Sequence, residues 1–310
     1  MGEVACPSTA VCYATASDGI LATADSGSTW AVRALPSNNG PIAISCPSLT
    51  ACYVTARTSN RHREDFLSTT DSGHTWVINS RLSVSELTCP STTTCYALGA
   101  DSSDIEMTVD SGRTWRMAVL AGSGYGGLDS ISCPLPTTCY ATGTPEIIAA
   151  KDSGPTWREQ GVPDGTKPVM TGIACSSPTT CVAVGQDFNC ENEGDDLCPA
   201  GTLAVIVTHD GGEDWSGYAI PTDINLNSVA CLPGGDCYAV GFDGSANGYD
   251  GNGDGTVLAS SDSGMTWSSQ TVPPAIGGLT SVSCPSTTTC YAVGEGKGDV
   301  GGLILKASHH

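Results

Sequence analysis

Short apolar segments with small residues at alternate positions recur along the 310-residue chain, bounded by Gly, Pro, Asn, Asp, Ser or Thr. Segments this short between turn-forming residues predict β-strands, not helices. Four of them make a unit. The first ends at a cysteine, as in Ile42-Ala-Ile-Ser45 before Cys46 or Ile131-Ser132 before Cys133. A five-residue turn such as Pro90-Ser-Thr-Thr-Thr94 leads into the second, Cys95-Tyr-Ala-Leu-Gly99. A loop of variable length follows, then a third strand such as Gly255-Thr-Val-Leu-Ala-Ser260 or Gly201 to Thr208. A turn on Asp-x-Gly-x-Thr-Trp feeds the fourth, which begins at the tryptophan and usually runs out near a proline.

The period of these units predicts the architecture. Seven Cys-x5-Cys pairs occur, 6/12, 46/52, 89/95, 133/139, 175/181, 231/237 and 284/290, with starts 40, 43, 44, 42, 56 and 53 residues apart. A period in the forties with strand-like content is that of a propeller blade. Between the pairs the aspartate phrase recurs at 25–30, 71–76, 110–115, 152–157, 210–215 and 262–267, and it takes all six tryptophans.

This phrase resembles the Asp-box, or BNR repeat, of sialidases, sortilin-type receptors, xyloglucan hydrolases and photosystem II assembly factors. Thr23, Thr69, Thr108, Thr208 and Ser260 supply the hydroxyl that leads the family pattern, whereas Ala150 does not; Asp214 replaces the usual threonine of the fifth copy. Gly27, Gly73, Gly112, Gly154, Gly212 and Gly264 hold the position where a left-handed backbone favours glycine. The resemblance implies an all-β, seven-bladed β-propeller whose boxes form turns on the face away from the working site. Each aspartate is expected to bond its own turn's amides, and each tryptophan to fill the space between blades. Seven cysteine hairpins against six boxes predict a last blade that stops at its third strand, Gly302-Leu-Ile-Leu-Lys306, either as a three-stranded blade or because the sequence is cut before the fourth. One domain over residues 1–308 is expected, with His309-His310 as a tag remnant.

Sixteen cysteines form an even set. Zinc is the competing reading, but zinc sites favour Cys-x2-Cys knuckles with histidines, and His62, His74 and His209 do not accompany the pairs. The regular spacing predicts hairpin disulfides, with Cys190–Cys198 as an eighth, and an oxidising, extracellular or cell-surface location. No run approaches the roughly 18 apolar residues of a membrane span. The net charge of -20 speaks against nucleic acid and anionic membranes. That charge is uneven: all eight arginines lie within residues 1–158, and residues 159–310 hold most of the excess acid.

In a propeller the cysteine turns and the aspartate turns share one end, and length variation falls at the other, where function is sought. There Asp250-Gly-Asn252-Gly-Asp254-Gly-Thr256 places oxygen ligands at alternate positions before a glycine, as in the first half of a calcium loop. Ser261 stands where an EF-hand has its closing glutamate, so a helix-less Ca2+ loop completed by Asp243 or Asn247 is expected. The acidic stretch 187–198 is a candidate for a second cation. Arg57, Arg61, His62 and Arg63 with Glu64 and Asp65 form a basic loop suited to carboxylate or sulfate, or to internal salt bridges.

Two function classes compete. A sialidase-type site clamps carboxylate with arginines from several blades, and blades five to seven contain none. Other glycoside hydrolases or polysaccharide lyases need acids facing across a cleft, and Asp104, Glu106, Asp129, Glu146, Asp187 and Glu295 carry no spacing that marks a pair. The favoured reading is a monomeric, non-catalytic module that binds a glycan or surface protein. Its expected contacts are Arg61, Arg63, Tyr125 and Tyr249, on a rim basic in blade two and acidic in blades five to seven.

Overall fold

The computed structural model describes residues 2–36, 40–57, 64–99, 104–121, 127–143, 146–151, 156–162, 169–185, 204–218, 220, 224–243, 253–297 and 301–308. Seven sheets, antiparallel but for one strand pair in blade 4, form the seven blades of a β-propeller. In blade 1 the strands run Val4–Ala5, Cys12–Ala16, Gly19–Thr23 and Ala31–Arg33, from the innermost strand outward. Blades 2, 3, 5 and 6 repeat this order. Blade 4 adds Val119–Ala121, paired in parallel with its outer strand Thr156–Glu159. Among the described residues blade 7 has three strands, Ile276–Ser286, Thr289–Gly296 and Gly302–Ser308.

The second strand of each blade is buried along most of its length. Cys95–Gly99 and Cys181–Gly185 are buried at every position, which fits strands covered on both faces by neighbouring blades. The core is correspondingly split into seven apolar clusters, one for each interface between consecutive blades. Trp76, Trp115, Trp157, Trp215 and Trp267 each enter the interface with the preceding blade, and Trp30 does so between blades 7 and 1. The space-filling role expected of these indoles is therefore met by all six.

Polar links run around the ring as well. The tyrosine after the second cysteine donates its hydroxyl to a carbonyl in the next blade's cysteine turn. Tyr13 reaches Leu49, Tyr53 reaches Thr92, Tyr96 reaches Pro136, Tyr140 reaches Pro178 and Tyr291 reaches Thr9. That last bond belongs to the closure of blade 7 onto blade 1. Val4 and Cys6 complete it by donating their amides to Ser281 Oγ and Ser283 Oγ at 3.3 and 3.1 Å. Closure is thus by packing and side-chain hydrogen bonds, with the first strand staying in its own blade.

All seven Cys-x5-Cys pairs are disulfides, one to a blade. The eighth expected pair, Cys190–Cys198, lies outside the described residues. No helix among the described residues is long and apolar enough to cross a membrane.

Candidate functional site

The two ends of the ring differ. At one end, each described aspartate turn is hydrogen-bonded to its own blade's cysteine turn: Ser26 to Ala10, Ser72 to Thr50, Ser111 to Thr93, Gly211 to Thr179 and Ser263 to Gly235, each through backbone N–H and carbonyl. Within the turn, Asp25 Oδ1 accepts from the Thr29 amide at 2.9 Å and Oδ2 from the Thr29 hydroxyl at 2.6 Å. Thr23 donates its hydroxyl to the same carboxylate at 2.8 Å and accepts the Gly27 amide at 3.0 Å. Asp71, Asp110 and Asp262 repeat this pattern. In the fifth copy Asp214 offers only its amide, at 3.1 and 3.2 Å from the two Asp210 oxygens.

These bonds favour the ionised form. The threonine hydroxyl first, and then its amide, hold Asp25 and Asp110 at a pKa of about 2, and Asp71 lower still. The backbone pays for the turn with two successive left-handed residues. One is the expected glycine, as at Gly112 with φ 82°, where an added Cβ would meet Phe66 Cε1 at 2.0 Å. The other is the preceding serine, Ser26, Ser72, Ser111 or Ser263, at φ 61 to 64°. Sequence reading missed that serine, although the glycine in its place at Gly211 was a signal. The aspartates of the five described turns are engaged by those turns.

The other end carries the variable loops. Arg61, Arg63, Tyr125, Tyr249, Asp250 and Asn252 lie outside the described residues, as does the 187–198 stretch. Asp243, Asp254 and Thr256, the remaining calcium candidates, line one cavity of about 300 Å³ between blades 6 and 7. There the Asp243 amide donates to the Asp254 carbonyl at 2.8 Å, and the Asp254 carboxylate pairs with Lys297 Nζ. In the basic loop of blade 2, Asp65 is buried and binds Arg81 at 2.9 Å, an internal salt bridge to a residue outside the predicted cluster.

Between the two ends runs a central channel of about 380 Å³, lined by the inner strand of every blade. Its acids are Glu3 and Glu86, which sequence reading did not select, and both sit three residues before a leading cysteine. Glu3 Oε2 accepts the Ile44 amide of blade 2 at 2.8 Å; Glu86 accepts the Ile131 amide of blade 4 and the Ser130 hydroxyl at 3.3 Å. Ser130, Ser228 and Ser281 hold the same position in blades 4, 6 and 7, and accept the Ile173, Val282 and Val4 amides at 3.3 Å. One offset therefore supplies an interblade latch in five of seven blades; Ala43 and Gly172 occupy it in blades 2 and 5.

The glutamate latches differ from the serines in carrying charge into an enclosed lumen. Desolvation pushes Glu86 up to about 7, with Asp129 adding to the rise. Desolvation and then the Glu86 charge push Glu3 well above its ordinary value. Of the acids weighed from sequence, Asp129 thus couples to Glu86, and Glu146 is raised by burial and by Glu159. Those two are not brought together, and Asp187 lies outside the described residues.

No protein-family model matches the chain, and no curated protein sequence matches it. Solved structures do. YCF48 bound to D1 peptide aligns over 100% of this chain and 93% of that one, with a TM-score of 0.67 at 14% identity. YCF48 from Cyanidioschyzon merolae gives 0.62 at 15% identity over 99% and 94%. An ancestral GH74 enzyme gives 0.57 at 14% identity, and this chain spans 49% of it. At such identities the likeness carries the fold alone.

Proposed function

We propose that the chain is an Asp-box-type propeller exported to an oxidising compartment, where it binds a protein segment on its loop face. The observation that carries this reading is the engagement of the turn aspartates and of the two channel glutamates by the fold itself. The turn aspartates are spent on their own amides, and Glu3 and Glu86 take positions where serine does the same latching work. Loops of unlike length and charge at the other end are then the surface free to recognise a partner. Likeness over the whole chain to a propeller bound to a peptide supports a protein ligand. Seven disulfides support the compartment, and the charge of -20 disfavours nucleic acid or anionic membrane as the partner.

The contacts are assigned to Arg61, Arg63, Tyr125 and Tyr249. The experiment is a peptide array beside a glycan array, probed with the parent and two charge variants. Arg61→Glu with Arg63→Glu is expected to lose the captured ligand, with binding by the parent weakening as salt rises. Asp110→Asn, on the opposite end, is expected to keep it. The reverse outcome would place the ligand on the repetitive face. A glycan hit with no peptide hit would change the ligand class.

A calcium ion belongs to the same reading, held by Asp243, Asp250, Asn252, Asp254 and Thr256 with oxygens at about 2.3–2.6 Å. Chelation is expected to lower the melting temperature of the parent. Asp250→Ala with Asp254→Ala is expected to remove that response; a double variant as calcium-sensitive as the parent excludes the site.

The second reading is hydrolysis of a polysaccharide, and the Glu3–Glu86 pair of raised pKa favours it. Reducing sugar released from a polysaccharide panel by the parent, and lost in Glu86→Gln, would move the chain to that class.

A further inference from the structure

The side wall of the ring is not alike all the way round. Nine large apolar side chains are exposed among the described residues, and eight of them lie between Val32 and Leu135, in blades 1 to 4. The six described arginines fall in the same blades. Four of these, Arg33, Arg81, Arg116 and Arg158, stand on the outer strands of blades 1, 2, 3 and 4 in turn. The outer strands of blades 5 and 6, Ser216–Tyr218 and Ser268–Ser269, carry neither an arginine nor an exposed aliphatic group.

Contacts between blades join these residues into one surface. Arg33 leans on the turn of blade 2, its Cγ 3.6 Å from where a Cβ at Gly73 would stand. Val77 and Ile78 open the outer strand of that blade, Val77–Leu82, and are 60 and 39% exposed. The same strand meets blade 3, where Asn79 Nδ2 donates to the Ser111 carbonyl at 3.2 Å and Trp115 Nε1 donates to Ser80 Oγ at 3.1 Å. Arg113 and Met117 flank that tryptophan, both exposed. Val119 then pairs with Thr156 of blade 4, and Ala121 with Arg158. The result is an arc from Val32 to Arg158 in which aliphatic and guanidinium groups are interleaved.

The charge of the arc says what covers it. The outer strands of blades 1 to 3 hold three arginines and no acid, in a chain with 32 acidic and 12 basic residues. Of the four outer-strand arginines, only Arg81 has an ion-pair partner among the described residues, Asp65. Arg33 Nε is buried there without a hydrogen-bond partner. Guanidinium forks suit carboxylates. Charge alone would guard an edge strand, but exposed valine, isoleucine and methionine beside it work against that role. Blade 2 has the longest of these outer strands, six residues whose outer edge is unpaired among the described residues. Blade 4 shows that such an edge accepts a further strand, since Val119–Ala121 is added to it.

We propose that the side wall of blades 1 to 3 docks an extended, acidic segment of another protein. Its carboxylates meet Arg33, Arg113 and Arg116, its apolar residues cover Val77, Ile78 and Met117, and its main chain bonds the edge of Val77–Leu82. A second copy of this chain does not fit. Wall against wall would set arginine against arginine, and wall against the acidic half would leave the aliphatic groups facing serine and glycine. An anionic membrane is opposed by the charge of -20. The surface lies beside the aspartate turns and not on the loop face, so its test is independent of the function proposed above.

The probe is a short synthetic peptide of alternating glutamate and valine, beside one of lysine and valine and one of glutamate and serine. Titrated into the whole protein, the first is expected to bind saturably, to slow amide exchange in residues 77–82 and to weaken as salt rises. The other two are expected to bind about tenfold more weakly or worse. Arg113→Glu with Arg116→Glu, and separately Val77→Asp, change exposed positions and are expected to weaken the first peptide by a similar factor at an unchanged melting temperature. No binding of the first peptide, equal binding of the serine peptide, or undiminished binding in both folded variants would overturn the proposal. So would exchange unchanged in 77–82, or loss of binding in Arg61→Glu with Arg63→Glu instead. Capture by phosphatidylglycerol vesicles without capture of the peptide would make the wall a membrane surface, and a dimer by light scattering that already protects 77–82 would make it a contact between copies; either result overturns the proposal.

Discussion

Reduction of the seven hairpin disulfides is expected to lower the melting temperature by roughly 20 °C. Each bridge joins residues six apart, and closing so small a loop removes about 2 kcal/mol of unfolded-chain entropy, or on the order of 15 kcal/mol for seven. For 310 residues the entropy of unfolding near the midpoint is about 0.65 kcal/mol per degree, which converts that sum into the expected shift. A single replacement, Cys133→Ser with Cys139→Ser, should then cost about 3 °C. The second cysteine of every pair is buried, so reductant must be added during unfolding or at raised temperature to reach it. Calorimetry with and without a phosphine reductant makes the measurement. A reduced chain melting within a few degrees of the oxidised one would mean that blade packing alone sustains the ring, and would remove the main argument for an oxidising compartment.

The ring was legible because its two phrases are nearly verbatim repeats, each tied to a local task. Cys89-Pro-Ser-Thr-Thr-Thr-Cys95 closes its own hairpin, and Asp71-Ser-Gly-His-Thr-Trp76 closes its own turn. Local chemistry repeated at a fixed period needs no tertiary information to be recognised. The latches were harder to read for the opposite reason: Ser130 acts on Ile173 of the next blade, and nothing in its own blade demands a hydroxyl. The signal was the offset before the leading cysteine, where Glu3, Glu86, Ser130, Ser228 and Ser281 align. Glu3 and Glu86 hid in that column because charge looks out of place among serines. Asp243, Asp254 and Thr256 line one cavity, while the pairing of Asp254 with Lys297, 43 residues on, depends on how blades 6 and 7 meet.

Stability is expected to peak in mildly acid solution and to fall toward neutrality, the reverse of the usual trend for a protein rich in carboxylates. Glu86 titrates near 7 in the folded ring and near 4.5 when unfolded, and Glu3 is raised too. Between those values the folded chain holds more protons than the unfolded one, so unfolding becomes easier as pH rises through the window. For Glu86 alone the loss across it is roughly 3 kcal/mol, or about 5 °C. Asp129, also raised by burial, acts in the same direction. The turn aspartates supply the other limb: Asp25 and Asp110 are held near 2, below the ordinary 3.8, so their contribution is complete above about 3.8 and is lost as pH falls toward 2. Melting curves from pH 2 to 8 should therefore trace a maximum near pH 4, where both sets of groups are satisfied. Glu3→Gln with Glu86→Gln keeps an oxygen for the Ile44 and Ile131 amides while removing the charge, and is expected to flatten the upper limb and leave the lower one in place. A parent that gains stability between pH 4.5 and 7.5 would mean that the lumen welcomes two carboxylates, which requires a cation between them and makes the channel, not the loop face, the place to look for a ligand.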